Sequence, residues 1–106
     1  MKLEEKRQAI IAENRRKAVE HLRTTDLLPG HCSLYDPPSG MYCALGHVGL
    51  AVGVDAKDLG ISDAYELIAN AVGENEAWNR TVYRMNDVHD RTLEEIGDFL
   101  AERWGI

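Results

Sequence analysis

The sequence predicts a mainly α-helical fold with a small β-hairpin, an α+β domain of about four helices around one core. Three observations predict it. Apolar residues recur at helical spacing in four separate stretches. A turn cluster, Asp36-Pro37-Pro38-Ser39-Gly40, stands between two short runs that favour extended backbone. The chain has 106 residues, 44% hydrophobic and 28% charged, which suits a single soluble domain spanning residues 1–106.

The first element is a basic helix over residues 1–28. Leu3, Ile10, Ile11, Ala18 and Leu22 recur at spacings of one, four and seven, with Asn14 and His21 on the same side. It stops at Leu28-Pro29-Gly30, where proline excludes further helix and glycine permits a turn. Residues 31–106 are then expected to form the hairpin and the helical core. The hairpin runs over residues 31–35 and 41–43, with Pro38 and Ser39 at the centre of its turn and Gly40 in the left-handed conformation.

The run CALGHVGLAVGV, residues 43–54, places glycines 46, 49 and 53 along one side of a helix, where another backbone can approach. Each glycine costs about 1 kcal/mol relative to alanine, so this helix should be central and held by packing. In the next helix Ser62 is the expected N-cap, Ala64, Leu67, Ile68, Ala71 and Val72 form the apolar stripe, and Gly73 ends it. Thr81, Val82 and Tyr83 suggest a short strand over residues 81–85. Thr92 and Glu95 spell a capping box opening a last helix that buries Leu93, Ile96, Leu100 and Trp104, with Phe99 at its edge.

Two stretches together, YDPPSGMYCALGHVGLA and MNDVHDRTLEEIGDFL, resemble a family of short actinobacterial and actinobacteriophage proteins of unknown function. The matching positions are Asp36, Gly40, Cys43 and Gly46, then Asn86, Asp87, Arg91 and Thr92, and the resemblance covers roughly residues 10–102. Two departures stand out: Met85 precedes Asn-Asp where the family has Trp, the nearby tryptophan being Trp78, and His47 replaces the usual Ala. The resemblance implies a phage or actinobacterial setting and a small accessory role, but no activity.

Both cysteines and two of the four histidines fall within residues 31–47, which admits three readings. A zinc site would use His31, Cys32, Cys43 and His47, the last two at i and i+4 on a helix; however, the paired Cys-x2-Cys knuckle is missing, and neighbours on a strand face opposite ways. A cysteine hydrolase would use Cys43 at a helix start as nucleophile, His89 as base, and Asn86 or Asp87 to orient it. The third reading is structural: Cys43 packs as a small hydrophobe. A Cys32–Cys43 disulfide depends on hairpin register, because a turn centred on Pro38-Ser39 slides the two cysteines apart.

Asn86, Asp87 and Arg91 form a compact polar cluster able to hold a ligand, or else the parts of a cap and a turn. Trp78, in an acidic segment, is the expected contact residue for a protein partner. The net charge of −6 divides unevenly: residues 1–23 carry seven Lys or Arg against four Glu, and residues 24–106 carry five against fourteen acids. That acidic remainder would repel phosphate, so a nucleic acid is not the expected partner. A basic helix beside an acidic body instead suits a protein partner, or a homodimer in which the helix crosses to its neighbour. No apolar run reaches the roughly 18 to 20 residues of a membrane span, and the charged N-terminus lacks a signal-peptide core. The expectation is a cytoplasmic, cofactor-free protein that binds another protein of phage or host and performs no catalysis.

Overall fold

In the computed structural model the described residues are 2–26, 29–30 and 34–106, apart from the side chains of Ile61 and Ser62. The amphipathic N-terminal stretch forms α1, Lys2–Thr24, which ends one turn before the predicted limit at residue 28. Only its second half is anchored: Ile11, Ala18, Val19 and Leu22 are buried, while every residue from 2 to 10 is exposed. The hairpin follows, with β1 at Tyr35–Asp36 and β2 at Met41–Tyr42. It pairs antiparallel with Tyr35 opposite Tyr42 and Asp36 opposite Met41. Its turn is closed by Gly40 N–H donating to the Asp36 carbonyl at 2.7 Å, with Gly40 at φ 71°, as the turn chemistry predicts.

Next comes α2, Ala44–Val52, with residues Ala44 through Gly49 buried, so the expected central helix is found. Gly46 and Gly49 are the predicted points of close approach. A Cβ on Gly46 would run into the Leu34 carbonyl, and one on Gly49 would sit 2.5 Å from the Val54 carbonyl. Gly53 differs: it lies past the helix end at φ 85° with nothing against it, so it serves as the left-handed C-cap. A 3₁₀ turn, Ala56–Asp58, leads to α3, Ile61–Ala71. The N-cap of α3 is Gly60, two residues before the predicted Ser62, whose side chain lies outside the described residues.

The predicted strand over residues 81–85 is instead the middle of α4, Glu76–Asp87. Asn75 supplies its N-cap by accepting from Ala77 and Trp78, and Trp78, Val82 and Asn86 recur every four residues on the buried face. That helical periodicity, packed against neighbours, overrides the extended preference of Thr81, Val82 and Tyr83. The last helix, α5, spans Leu93–Trp104 and opens on the predicted capping box: Glu95 N–H donates to Thr92 Oγ1 at 3.0 Å, and Thr92 N–H donates to Glu95 Oε1 at 2.9 Å. The described residues thus hold five α-helices, one more than the sequence suggests, and the additional one is α4.

All of these elements share one core. α1 packs along α5 and α2, Gly97 of α5 allowing close contact with Leu22 and Arg23, and α3 and α4 close the other side of α2. Leu22, Leu45, Val48, Ile68, Val82, Ile96 and Leu100 are buried, each contributing about 1.5–3 kcal/mol of hydrophobic stabilisation. α1 also satisfies the end of α3, since Asn14 Nδ2 and Arg15 Nε donate to the carbonyls of Ala71 and Val72, both at 2.8 Å. Among the described residues no helix is long and apolar enough to cross a membrane.

Candidate functional site

The segment that the sequence marks out most strongly, the start of α2, is a junction of three chain segments. Cys43 occupies the N-cap position of α2 but its side chain makes no capping bond. Asn86 supplies the cap from α4: its Oδ1 accepts from Ala44 N–H at 3.1 Å, and its Nδ2 donates to the Gly30 carbonyl at 2.8 Å and to Asp87 Oδ1 at 2.6 Å. Asn86 is 1% exposed, so its amide is spent on tying hairpin approach, α2 and α4 together rather than on a ligand.

Cys43 is a free thiol, 4% exposed. Burial pushes its pKa up, outweighing hydrogen bonds from the backbone of Gly46 and Leu45 that pull it down, and the negative charge of Asp87 adds a smaller upward push. A nucleophilic cysteine needs the opposite shift. His89 is exposed after the end of α4 and lines a surface depression with Met85 and Phe99, among whose lining residues Cys43 is not found. The hairpin register has Cys43 N–H donating to the Leu34 carbonyl at 3.3 Å, the alignment expected of a turn centred on Pro38-Ser39.

Of the four residues of the zinc reading, His31 and Cys32 lie outside the described residues. The other two, Cys43 and His47, are both buried on α2, and His47 Nδ1 lies 3.1 Å from His21 Nε2 of α1. One ring donates and the other accepts, so at least one of the two is neutral. Burial lowers the pKa of His21, consistent with that role. Among the described residues no three His, Cys, Asp or Glu side chains are grouped to hold a metal. The pairing of His21 with His47 was not anticipated. Its sequence signal was a histidine on the apolar side of the first helix.

Trp78 must be corrected as a contact residue. It is fully buried in α4, its ring centroid 6.1 Å from that of Trp104, and its indole N–H has no acceptor among the described residues. Trp104 is the half-buried member of the pair. Its Nε1 donates to Glu74 at 2.7 Å, and the Arg15 guanidinium lies 5.3 Å from its ring centroid. Burial pushes the Glu74 carboxyl up, but hydrogen bonds from Arg103 and Trp104 outweigh it and hold the pKa below the ordinary range.

Of the expected binding residues, Arg91 lines an open surface, the depression of about 490 Å³ between α4 and α5. Half-buried Met85 and Phe99 give it an apolar floor beside Thr81, and His89, Arg91, Glu95 and Asp98 rim it. The shape depends on Asp90, whose φ of 48° turns the chain so that Arg91 N–H donates to the Met85 carbonyl at 2.9 Å. Asp tolerates that left-handed conformation better than most residues. A second depression, of about 640 Å³ between α3 and α4, includes Tyr65 and Asn79. Asn79 is 8% exposed, donates to the Tyr65 carbonyl at 3.4 Å, and leaves its Oδ1 without a donor among the described residues. Sequence reasoning missed both residues, because a strand in place of α4 hides the face that α4 shares with α3. Compared with known protein families, curated proteins and solved structures, the chain matches none.

Proposed function

We propose that this chain is a small accessory protein of phage or actinobacterial origin that acts in the cytoplasm by binding another protein, without catalysis or cofactor. The observation that carries the reading is the α4–α5 depression, in which an apolar floor of Met85 and Phe99 is ringed by both signs of charge. Protein-binding hot spots have that anatomy: a desolvated apolar centre, an arginine anchor and a polar rim. Arg91 is 55% exposed at its side chain and held loosely by Glu95 at 3.5 Å, so it can exchange that partner for a carboxylate on another protein. The cysteine-hydrolase alternative would need a lowered thiol pKa, whereas burial raises that of Cys43.

The test is capture from an actinobacterial lysate on immobilised protein, wild type beside the double variant Arg91→Glu with Met85→Lys. A partner retained by the wild type and at least about tenfold less by the variant, roughly 1.4 kcal/mol of lost affinity, supports the reading. Equal retention by both, or nothing above a blank resin, refutes it.

A further inference from the structure

We infer that the groove between α1 and α3 is a self-association surface, in which α1 of one copy lies on α3 of a second copy and the reverse contact completes a two-fold dimer. The starting observation is an uncovered helix. Residues 2–10 of α1 are all exposed, including Leu3 at 79% and Ile10 at 61%. The packed half of α1 nucleates these turns, so they stay helical, but they carry two large apolar side chains into water.

Which face needs covering follows from helical spacing. Leu3, Lys6, Arg7, Ile10 and Lys17 share one strip, three cations around two exposed apolar side chains. Glu4 and Glu5 lie off it, about 110° and 150° round the helix from the Leu3–Ile10 line at 3.6 residues per turn. The outer face of α3, of which Asn70 borders the groove and Glu66 the α3–α4 depression, carries the complementary strip. Asp63, Glu66, Leu67 and Asn70 recur at i, i+3, i+4 and i+7 on its outer side, with Leu67 45% exposed, and α3 contains no basic residue. The groove, about 400 Å³, is bounded by Leu3, Lys6 and Ile10 on one side and by Asn70 and Ala71 on the other.

This adjacency points to a second copy as the occupant. A two-fold interface must be self-complementary, so that if one residue meets another across it, the reverse contact also forms. A basic-apolar strip beside an acidic-apolar strip meets that condition, since a half-turn about an axis through the groove lays each strip on its opposite. Leu3 and Ile10 then face Leu67, and Lys6 and Arg7 face Asp63 and Glu66. The surface is distinct from the α4–α5 depression, so the two can be occupied together.

The test is solution mass by sedimentation equilibrium at about 100 μM, a concentration at which an association with Kd of about 1 μM is nearly complete. The wild type should give close to twice the 11.9 kDa of one chain, and Leu3→Asp with Ile10→Asp should give the single-chain mass with unchanged helical circular dichroism. Two charge-reversed proteins, Lys6→Glu with Arg7→Glu and Asp63→Lys with Glu66→Lys, should each be monomeric alone and pair when mixed, because both contacts of the mixed dimer join opposite charges. A monomeric wild type overturns the inference. So does a dimer that survives Leu3→Asp with Ile10→Asp, which would use another face, and so does failure of the two reversed proteins to pair.

Discussion

Asn86→Ala is the perturbation that best separates a structural amide from a ligand-binding one. The side chain is 1% exposed and serves the Ala44 N–H at 3.1 Å and the Gly30 carbonyl at 2.8 Å. Truncation removes the remote cap of α2, worth about 1 kcal/mol, and leaves a buried donor and a buried acceptor without partners, at about 1–3 kcal/mol for each that water does not reach. The expected loss is about 2–4 kcal/mol, a large share of the 5–15 kcal/mol that holds a typical domain together. Urea melts followed by circular dichroism should show a lower midpoint with an unchanged slope. Asn75→Ala is the control. Asn75 caps α4 through Ala77 and Trp78 from an exposed position, so water can replace part of what it supplies, and about 1 kcal/mol should be lost. Asn86→Asp sharpens the comparison: it keeps an acceptor for Ala44 but loses the donor to Gly30 and places a second carboxylate against Asp87, so its deficit should shrink on acidification as the new carboxyl is protonated. If Asn86→Ala costs no more than Asn75→Ala, the capping account of Asn86 is wrong.

Three further outcomes follow from the same contacts. Gly46→Ala should destabilise by about 3 kcal/mol or more, because its Cβ would enter the Leu34 carbonyl and Tyr42, whereas Gly53→Ala, strained at φ 85° but unobstructed, should cost only about 1–2 kcal/mol; equal losses in urea melts would contradict the close-approach argument. Cys43 should alkylate slowly with iodoacetamide at neutral pH in the folded protein and rapidly in denaturant, as peptide mapping would resolve, and fast labelling of the folded chain would show that the thiol is neither buried nor raised in pKa. Burial lowers His21 from its ordinary 6.5, so the unfolded chain takes up this proton more readily: stability should hold above pH 6.5 and fall as the pH drops through 6.5 toward the lowered value. His21→Gln should flatten that part of the profile, and an unchanged slope would assign the titration elsewhere.

How much of this was legible in advance depended on whether the signal was local. The Thr92–Glu95 box, the Gly40 turn and the Gly73 stop rest on interactions within a few residues, and each is found where its chemistry places it. The glycine spacing in α2 was legible as a demand for close approach, although not as contact with Leu34 and Val54 in particular. The strand expected over residues 81–85 failed because β propensity is a weak preference that packing reverses. Once α4 is read as a helix, Trp78, Val82 and Asn86 fall on one buried face, and two of the four residues expected to bind, Trp78 and Asn86, become core. Asn86 carries the wider lesson: an Asn three positions ahead of His89 gives no local sign that its partners are Ala44 and Gly30. Only Arg91, carried outward by the left-handed turn at Asp90, keeps the exposure that a contact residue requires.

The first helix shows why an apolar pattern can be read correctly and still be divided between two tasks. Leu3, Ile10, Ile11, Ala18 and Leu22 look like one stripe, but Leu3 and Ile10 lie about 90° round the helix from the line of Ile11, Ala18 and Leu22. The second group is buried, and with Asn14 and Arg15 bonded to the end of α3 it anchors the helix without help from the first. Replacing Leu3 and Ile10 by Asp should therefore leave the stability of the isolated monomer within about 0.5 kcal/mol of the wild type. If a second copy covers these residues, folding is linked to association. The Tm of the wild type should then rise with protein concentration, while that of the variant stays constant. Thermal melts over a hundredfold range of dilution measure both, and they separate the two uses of the helix. A wild-type Tm independent of concentration would count against the dimer, whereas a variant destabilised even at the highest dilution would mean that Leu3 and Ile10 serve the fold after all.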